Sequence, residues 1–296
     1  MKTEFIALGT AGGPTPKLER AQPAHAIKRG ERVLLVDCGD GAFRQLRGAN
    51  IDLRLVHDVF ISHHHFDHIG SLFACLGLNM MLHRKTKLTI YGPPGTKAII
   101  DGLLAACDVP HSTGFGVPGQ TLTHPRAFVS VNEIVPGDEV IIDDITVTFC
   151  ENTHYRAEEQ FGQEGPLSLA MRFDAPDRSI VFTGDTGPCK GLEQFANGAQ
   201  LLVGELIDVE ATMARIRAKN LSMPEERLDM MAHHMEQHHL RPEQLGKMAT
   251  SAGVTELVAV HLPFDQLSQE DHDKITAMIA SEFTGKIAIG EDLGRY

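Results

Sequence analysis

The segment Ser62-His63-His64-His65-Phe66-Asp67-His68 constrains this chain more than any other. It follows directly on the apolar run Val59-Phe60-Ile61, so imidazoles and a carboxylate crowd the end of a buried strand. Along an extended stretch, successive side chains take opposite sides. His63 and His65 therefore point one way and His64 the other, and two imidazoles on one side can grip a metal ion. Asp67 and His68 fall where the chain turns into a helix and can face a second ion. Nitrogen and carboxylate donors without sulfur suit Zn2+, and also Mn2+ or Fe. A histidine run at a strand end is ordinarily a solvated surface, but the HxHxDH spacing after a buried strand argues against that here.

Four donors do not complete a two-metal site. Three further candidates stand where a strand ends: His154 after Val147-Thr148-Phe149-Cys150, Asp185 after Ile180-Val181-Phe182-Thr183-Gly184, and His261 after Leu257-Val258-Ala259-Val260. Alone, each would more often be a turn residue. Together they fill a coordination need already present.

The apolar pattern predicts strands in two clusters, each followed by helices. Two facing sheets with helices on their outer faces satisfy that pattern. No composition break marks a linker across the 296 residues, so a single domain over 1–296 is expected. Arg29-Gly30-Glu31 and Asp143-Asp144 read as hairpin turns, Ile69 to Leu82 as one helix, and Ser222 as the start of a long one. Gly92-Pro93-Pro94-Gly95-Thr96-Lys97 lacks the spacing of a phosphate loop and reads as a strand-to-helix turn. Residues 108–126, with His111 and Phe115, form a lid or a long surface loop.

The five cysteines are odd in number and scattered, which fits buried free thiols in a reducing cytoplasm. The N-terminus reads as a strand rather than a signal peptide, and no apolar run reaches the roughly 18 residues of a membrane span. The net charge of −12 repels phosphate backbones at long range and excludes a general nucleic-acid coat. Lys17 and Arg20, in the Gly/Pro-rich loop after the first strand, are either solvated charges or contacts for an anionic substrate.

With these motifs in place, the chain resembles the metallo-β-lactamase superfamily, from Leu8-Gly9-Thr10 and Val36-Asp37-Cys38-Gly39-Asp40-Gly41 through to His261. The resemblance implies a four-layer αββα sandwich, with the metal site at the edge between the two sheets. It implies that His63, His65 and His154 hold one zinc, that Asp67, His68 and His261 hold the other, and that Asp185 bridges them. Phe182-Thr183-Gly184-Asp185-Thr186, Leu201-Leu202-Val203-Gly204-Glu205 and Ala232-His233-His234-Met235-Glu236 are most similar to the tRNase Z branch. That branch implies a Glu205–His239 pair that protonates the leaving group, and a homodimer.

The activity this implies is that of a dinuclear-zinc hydrolase in which a metal-bridged hydroxide, oriented by Asp67, attacks an ester. Only 31 positions separate His154 from Asp185, and they hold no basic Gly-rich insertion of the kind that grips tRNA in that branch. The expected substrate is therefore a small anionic phosphodiester or sulfate ester, as in phosphodiesterase-like and arylsulfatase-like relatives. The alternatives are tRNA 3′-processing, and lactone or β-lactam hydrolysis, for which the Glu205–His239 pair has no evident use.

Overall fold

The computed structural model describes residues 1–114, 119–219 and 222–296. The chain divides into two compact units: residues 1–10, 14–134 and 291–296 form the first, and residues 11–13 and 135–290 the second. Each unit is built on one seven-stranded sheet.

In the first unit, β1 (Thr3–Gly9), β2 (Ala24–Arg29) and β3 (Arg32–Val36) run antiparallel, then β4 (Val56–Phe60), β5 (Leu88–Gly92) and β6 (Val129–Glu133) continue parallel to β3. Gly30, at a φ of 58°, makes the β2–β3 turn that the sequence predicts. Helices α1 (Ala42–Gly48), α2 (Phe66–Ile69), α3 (Leu72–Met81), α4 (Thr96–Ala106) and α5 (Asp108–Thr113) complete the unit. Ile6, Leu8, Val33, Leu35, Val59, Ile61, Leu76 and Ile90 belong to its buried core. The last strand, Gly294–Arg295, pairs with β1, and the Asp292 carboxylate accepts from the Thr10 and Ala21 amides and from the Gln45 side chain.

The single helix expected over 69–82 is two. Ser71 N donates to Cys38 O at 2.8 Å, breaking the run between α2 and α3. The Pro-Pro-Gly segment is the expected turn into α4, where Glu133 Oε1 accepts from the amides of Gly95 (2.8 Å) and Lys97 (3.0 Å). Of the expected lid, 108–113 is helical and Phe115 lies outside the described residues.

In the second unit, β7 (Glu139–Ile142), β8 (Ile145–Glu151), β9 (Leu169–Ala175) and β10 (Arg178–Phe182) form an antiparallel run. Asp143, at a φ of 54°, turns the β7–β8 hairpin. β11 (Leu201–Glu205), β12 (Glu256–Val260) and β13 (Lys286–Ile289) then add in parallel to β10. Helices α6 (Lys190–Phe195), α7 (Val209–Lys219), α8 (Glu225–His238), α9 (Pro242–Ser251) and α10 (Gln269–Ala280) complete it. Its core gathers Val181, Leu202, Leu245, Met248, Leu257 and Ile279. A smaller apolar cluster joins α7 to α8 through Met213 and Leu228, with Met231 and Met235 packed against it, whereas Met230 is 68% exposed. Two of the three helix methionines thus serve packing. Among the described residues no helix is long and apolar enough to cross a membrane.

Candidate functional site

In the first unit the donors sit beyond the ends of neighbouring parallel strands. β3 and β4 pair in parallel with Val36 opposite Phe60, so the residues just after each strand meet. Asp37 N donates to Phe60 O, and Ser62 N donates back to Asp37 Oδ1 at 2.8 Å. Asp37 Oδ2 then accepts from Ser62 Oγ at 2.9 Å and from His68 Nδ1 at 2.7 Å. Ser62 has spent its one proton, so it accepts from His63 Nδ1 at 3.0 Å. Both imidazoles therefore keep the proton on Nδ1 and present the Nε2 lone pair, the arrangement that metal-ligating histidines adopt.

The His63 ring lies 4.1 Å from His68 and 4.7 Å from His65, and Asp67 Oδ2 lies 3.5 Å from His68 Nε2. His63, Asp67 and His68 are buried and His65 is exposed. His64 points elsewhere, as alternation requires: its Nε2 is 2.8 Å from Thr96 Oγ1, and burial lowers its pKa against the opposing pull of Glu133. Gly39 makes this packing possible. A Cβ there would meet Asp67 O at 2.1 Å, and the neighbouring Cys38 N donates to His68 O at 2.8 Å. On sequence alone, Asp37 is assigned no role in the site. Its signal was the same as that of Asp185, a carboxylate just past an apolar strand.

In the second unit, β8, β10, β11 and β12 all run in one direction, and each delivers a side chain at its C-terminal end. His154 follows β8, Asp185 follows β10, Glu205 closes β11 and His261 follows β12. Asp185 Oδ2 lies 3.1 Å from His261 Nε2 and 3.9 Å from His154 Nε2, between two imidazoles. His154 Nδ1 donates to His238 O at 3.3 Å, again leaving Nε2 as the donor atom. Asp185, His239 and His261 each offer an atom within 4.8 Å of the others. His261 has a φ of 58°, a left-handed conformation that a non-glycine residue rarely takes. The chain beside it must be glycine, since a Cβ on Gly12 would lie 2.7 Å from His261 O.

Glu205 is buried and its Oε1 accepts from Thr186 N and from His239 Nδ1, both at 2.9 Å. The His239 ring lies parallel to His261 with centroids 5.9 Å apart. Burial opposes charging His239, but the Glu205 carboxylate outweighs it and raises the pKa. Gly187 lets the loop after Asp185 press on the end of α8, where a Cβ would meet Gln237 O at 2.0 Å. That contact sets His239 beside Asp185. His233 and His234 are exposed on α8.

Imidazole nitrogen and carboxylate oxygen, with tautomers set by their partners, fit divalent cations. The thiols take no part: all five are free, and burial pushes Cys75 and Cys189 up to about 12 and Cys150 to about 11. Arg20, considered for an anionic substrate, donates to Thr10 Oγ1 within the first unit.

Two seven-stranded mixed sheets with their helices make the metallo-β-lactamase fold. YhfI from Bacillus subtilis, a metallo-beta-lactamase fold protein, matches at a TM-score of 0.70 with 20% identity, covering 99% of this chain and 98% of that one. The short form of human tRNase Z matches at 0.65 with 19% identity, over 99% and 98%. The family model described as Anti-Pycsar protein Apyc1 matches residues 3–219, and the chain belongs to that family of metallo-β-lactamase-fold proteins. It is also 30% identical to a Ribonuclease Z of Mycobacterium avium, over 99% of this chain and 97% of that protein. The expected kinship with the tRNase Z branch is thereby borne out, and with it a metal-dependent hydrolase.

Proposed function

We propose that the chain is a phosphodiesterase acting as one catalytic domain in the cytoplasm, as a homodimer, on a small anionic substrate. His63, His65, Asp67, His68, His154, Asp185 and His261 hold two divalent cations, zinc in the first instance, as the family likeness implies. Such cations supply Lewis-acid stabilisation of developing charge and an acidified water at neutral pH.

The protein's own groups do the rest. Asp67 orients the attacking oxygen with its carboxylate. His239 holds its Nδ1 proton against Glu205 and gives the Nε2 proton to the departing oxygen. The Glu205–His239 hydrogen bond carries the reading. An ester that expels an alkoxide needs a proton donor, whereas lactam and lactone opening gives the pair no evident use. The Ribonuclease Z relative favours phosphate over sulfate.

RNA 3′-processing is the second reading, and one observation favours it. The Mycobacterium relative aligns over 97% of its own length, so the missing inserted arm does not set this chain apart from it. The charge of −12 still weighs against a polyanion. The test is a panel on zinc-loaded protein: bis-p-nitrophenyl phosphate, p-nitrophenyl sulfate, a homoserine lactone, nitrocefin and a precursor tRNA. Turnover of the first alone is expected. Faster turnover of the sulfate, lactone or nitrocefin overturns the phosphodiester reading, and efficient tRNA cleavage replaces the small-molecule one.

A further inference from the structure

β8 and β10 are not neighbours. In the second sheet β9 lies between them, so no ladder of hydrogen bonds sets the spacing of the loops that follow them. Yet these loops carry His154 and Asp185, whose Nε2 and Oδ2 lie 3.9 Å apart. A side chain joins them. Asn152, 1% exposed, comes directly after Glu151, the last residue of β8. Its Nδ2 donates to Thr183 O at 2.8 Å, and its Oδ1 accepts from His154 N at 3.2 Å. One amide thus spans the two loops.

That amide can lie only one way round. Turned over, its NH2 would face the His154 N–H and its oxygen the Thr183 carbonyl, and both bonds would be lost. The bond to His154 N closes a turn from the side chain to the amide two residues on, which bends the chain directly after β8 and aims His154. The bond to Thr183 O fixes the loop two residues before Asp185. From Thr183 the tie continues, since its hydroxyl donates to Gly184 O at 2.7 Å and accepts from Glu205 N at 3.2 Å. Asn152 and Thr183 together therefore fasten the ends of β8, β10 and β11, and each of those ends delivers a side chain of the site. On the far side of Asp185, Thr153 N donates to Thr186 Oγ1 at 3.3 Å, a second tie between the same loops. Buried polar atoms persist where they are answered, and here the answering groups are the two donor-bearing loops.

We infer that Asn152 is a positioning residue for metal binding, which holds His154 and Asp185 at the separation from which both face one cation. The inference rests on the ligand assignment of the proposed function and adds to it a residue that touches neither cation nor substrate. Asparagine suits the task because it offers a donor and an acceptor on one rigid plane. Aspartate offers acceptors alone, and an apolar side chain of similar size offers neither.

Asn152→Asp is the sharpest test. It keeps the size of the side chain and the acceptor for His154 N, but it sets an oxygen against Thr183 O. Zinc affinity, read by competition with a chromogenic chelator, should fall about 10- to 100-fold, the usual range for partners that orient metal ligands. The free zinc that half-activates turnover of bis-p-nitrophenyl phosphate should rise by the same factor. The visible absorption bands of the cobalt-loaded protein, which report ligand geometry, should shift. Asn152→Ala, which buries no new charge, should behave alike, and it decides the question if the aspartate variant does not fold. A merely structural role would lower the melting temperature of the metal-free protein and leave zinc affinity and the cobalt bands as in the parent. That result overturns the inference. A parent protein that binds fewer than two zinc ions overturns the ligand assignment itself, and the inference with it.

Discussion

The two units supply donors in opposite ways. In the first, His63, His65, Asp67 and His68 lie in one short run after β4, and a single neighbouring carboxylate, Asp37, organises them. In the second, His154, Asp185, Glu205, His239 and His261 are spread over more than a hundred positions; strands that end on the same side of one sheet bring four of them together, and the end of α8 brings His239. Ligands of open α/β sheets gather outside the carboxyl ends of strands, and the candidate donors of each unit stand at such ends. The difference is where the geometry is encoded: local spacing in one unit, strand order in the other. A local set should tolerate changes elsewhere in its sheet, and a dispersed set should not.

The largest expected effect falls on Asp185, set between two imidazoles. Chelation should abolish turnover and zinc should restore it, with two metals per chain by elemental analysis. Asp185→Asn should lose activity to background and bind fewer than two. Full stoichiometry in that variant would break the comparison, because the local donors would then suffice.

Next comes the proton donor. His239→Gln should slow expulsion of an alkoxide by about 10²–10⁴-fold. It should slow expulsion of p-nitrophenolate, a stable anion, far less. Equal losses on the two leaving groups would remove the donor role from His239 and leave it a structural residue.

The third prediction returns to the first unit. Asp37→Asn keeps the shape but weakens the acceptor behind His68, so metal affinity should drop about 10- to 100-fold, read by competition with a chromogenic chelator. An unchanged affinity would mean that the strand end alone positions the run.

The smallest effect is a control on packing. Asp208 caps α7, with its carboxylate accepting from Ala211 N at 3.0 Å and pairing with Lys274 at 2.9 Å. Burial raises its pKa, but the helix amide and Lys274 together lower it below the ordinary carboxylate value. A carboxyl depressed in the folded state stabilises above its unfolded pKa and loses that contribution as pH falls through the folded one. Asp208→Asn should cost about 0.5–1 kcal/mol near neutrality, because Lys274 is half exposed. In acid the variant and parent should converge. Metal stoichiometry should not move, which separates fold from chemistry in the second unit.

The same contrast decides what was legible in the sequence. His63 to His68 declared themselves because the donors are neighbours. His154, Asp185 and His261 were found as strand ends, but which of them would meet depended on β8, β10, β11 and β12 running the same way. The role of Asp37 is not legible locally, because its partner, His68, lies across a parallel pairing that no local pattern displays. β6 is hard to read for a different reason: Val129–Glu133 is half exposed and carries little apolar signal. The break between α2 and α3 depends on Ser71 N bonding back to the loop after β3, a contact distant in sequence.

The carboxylate of Asp292 gathers Thr10, Ala21 and Gln45, and the strand beside it finishes the sheet begun by β1. During synthesis on the ribosome, β1 must therefore wait for partners made some 280 residues after it. The intervening stretch, from 135 to 290, is complete before residues 291–296 are made and can mature while the first unit still lacks them. Nascent chains stalled before Glu291 should expose the edge of β1 to chaperones, and emergence of residues 291–296 should end that exposure.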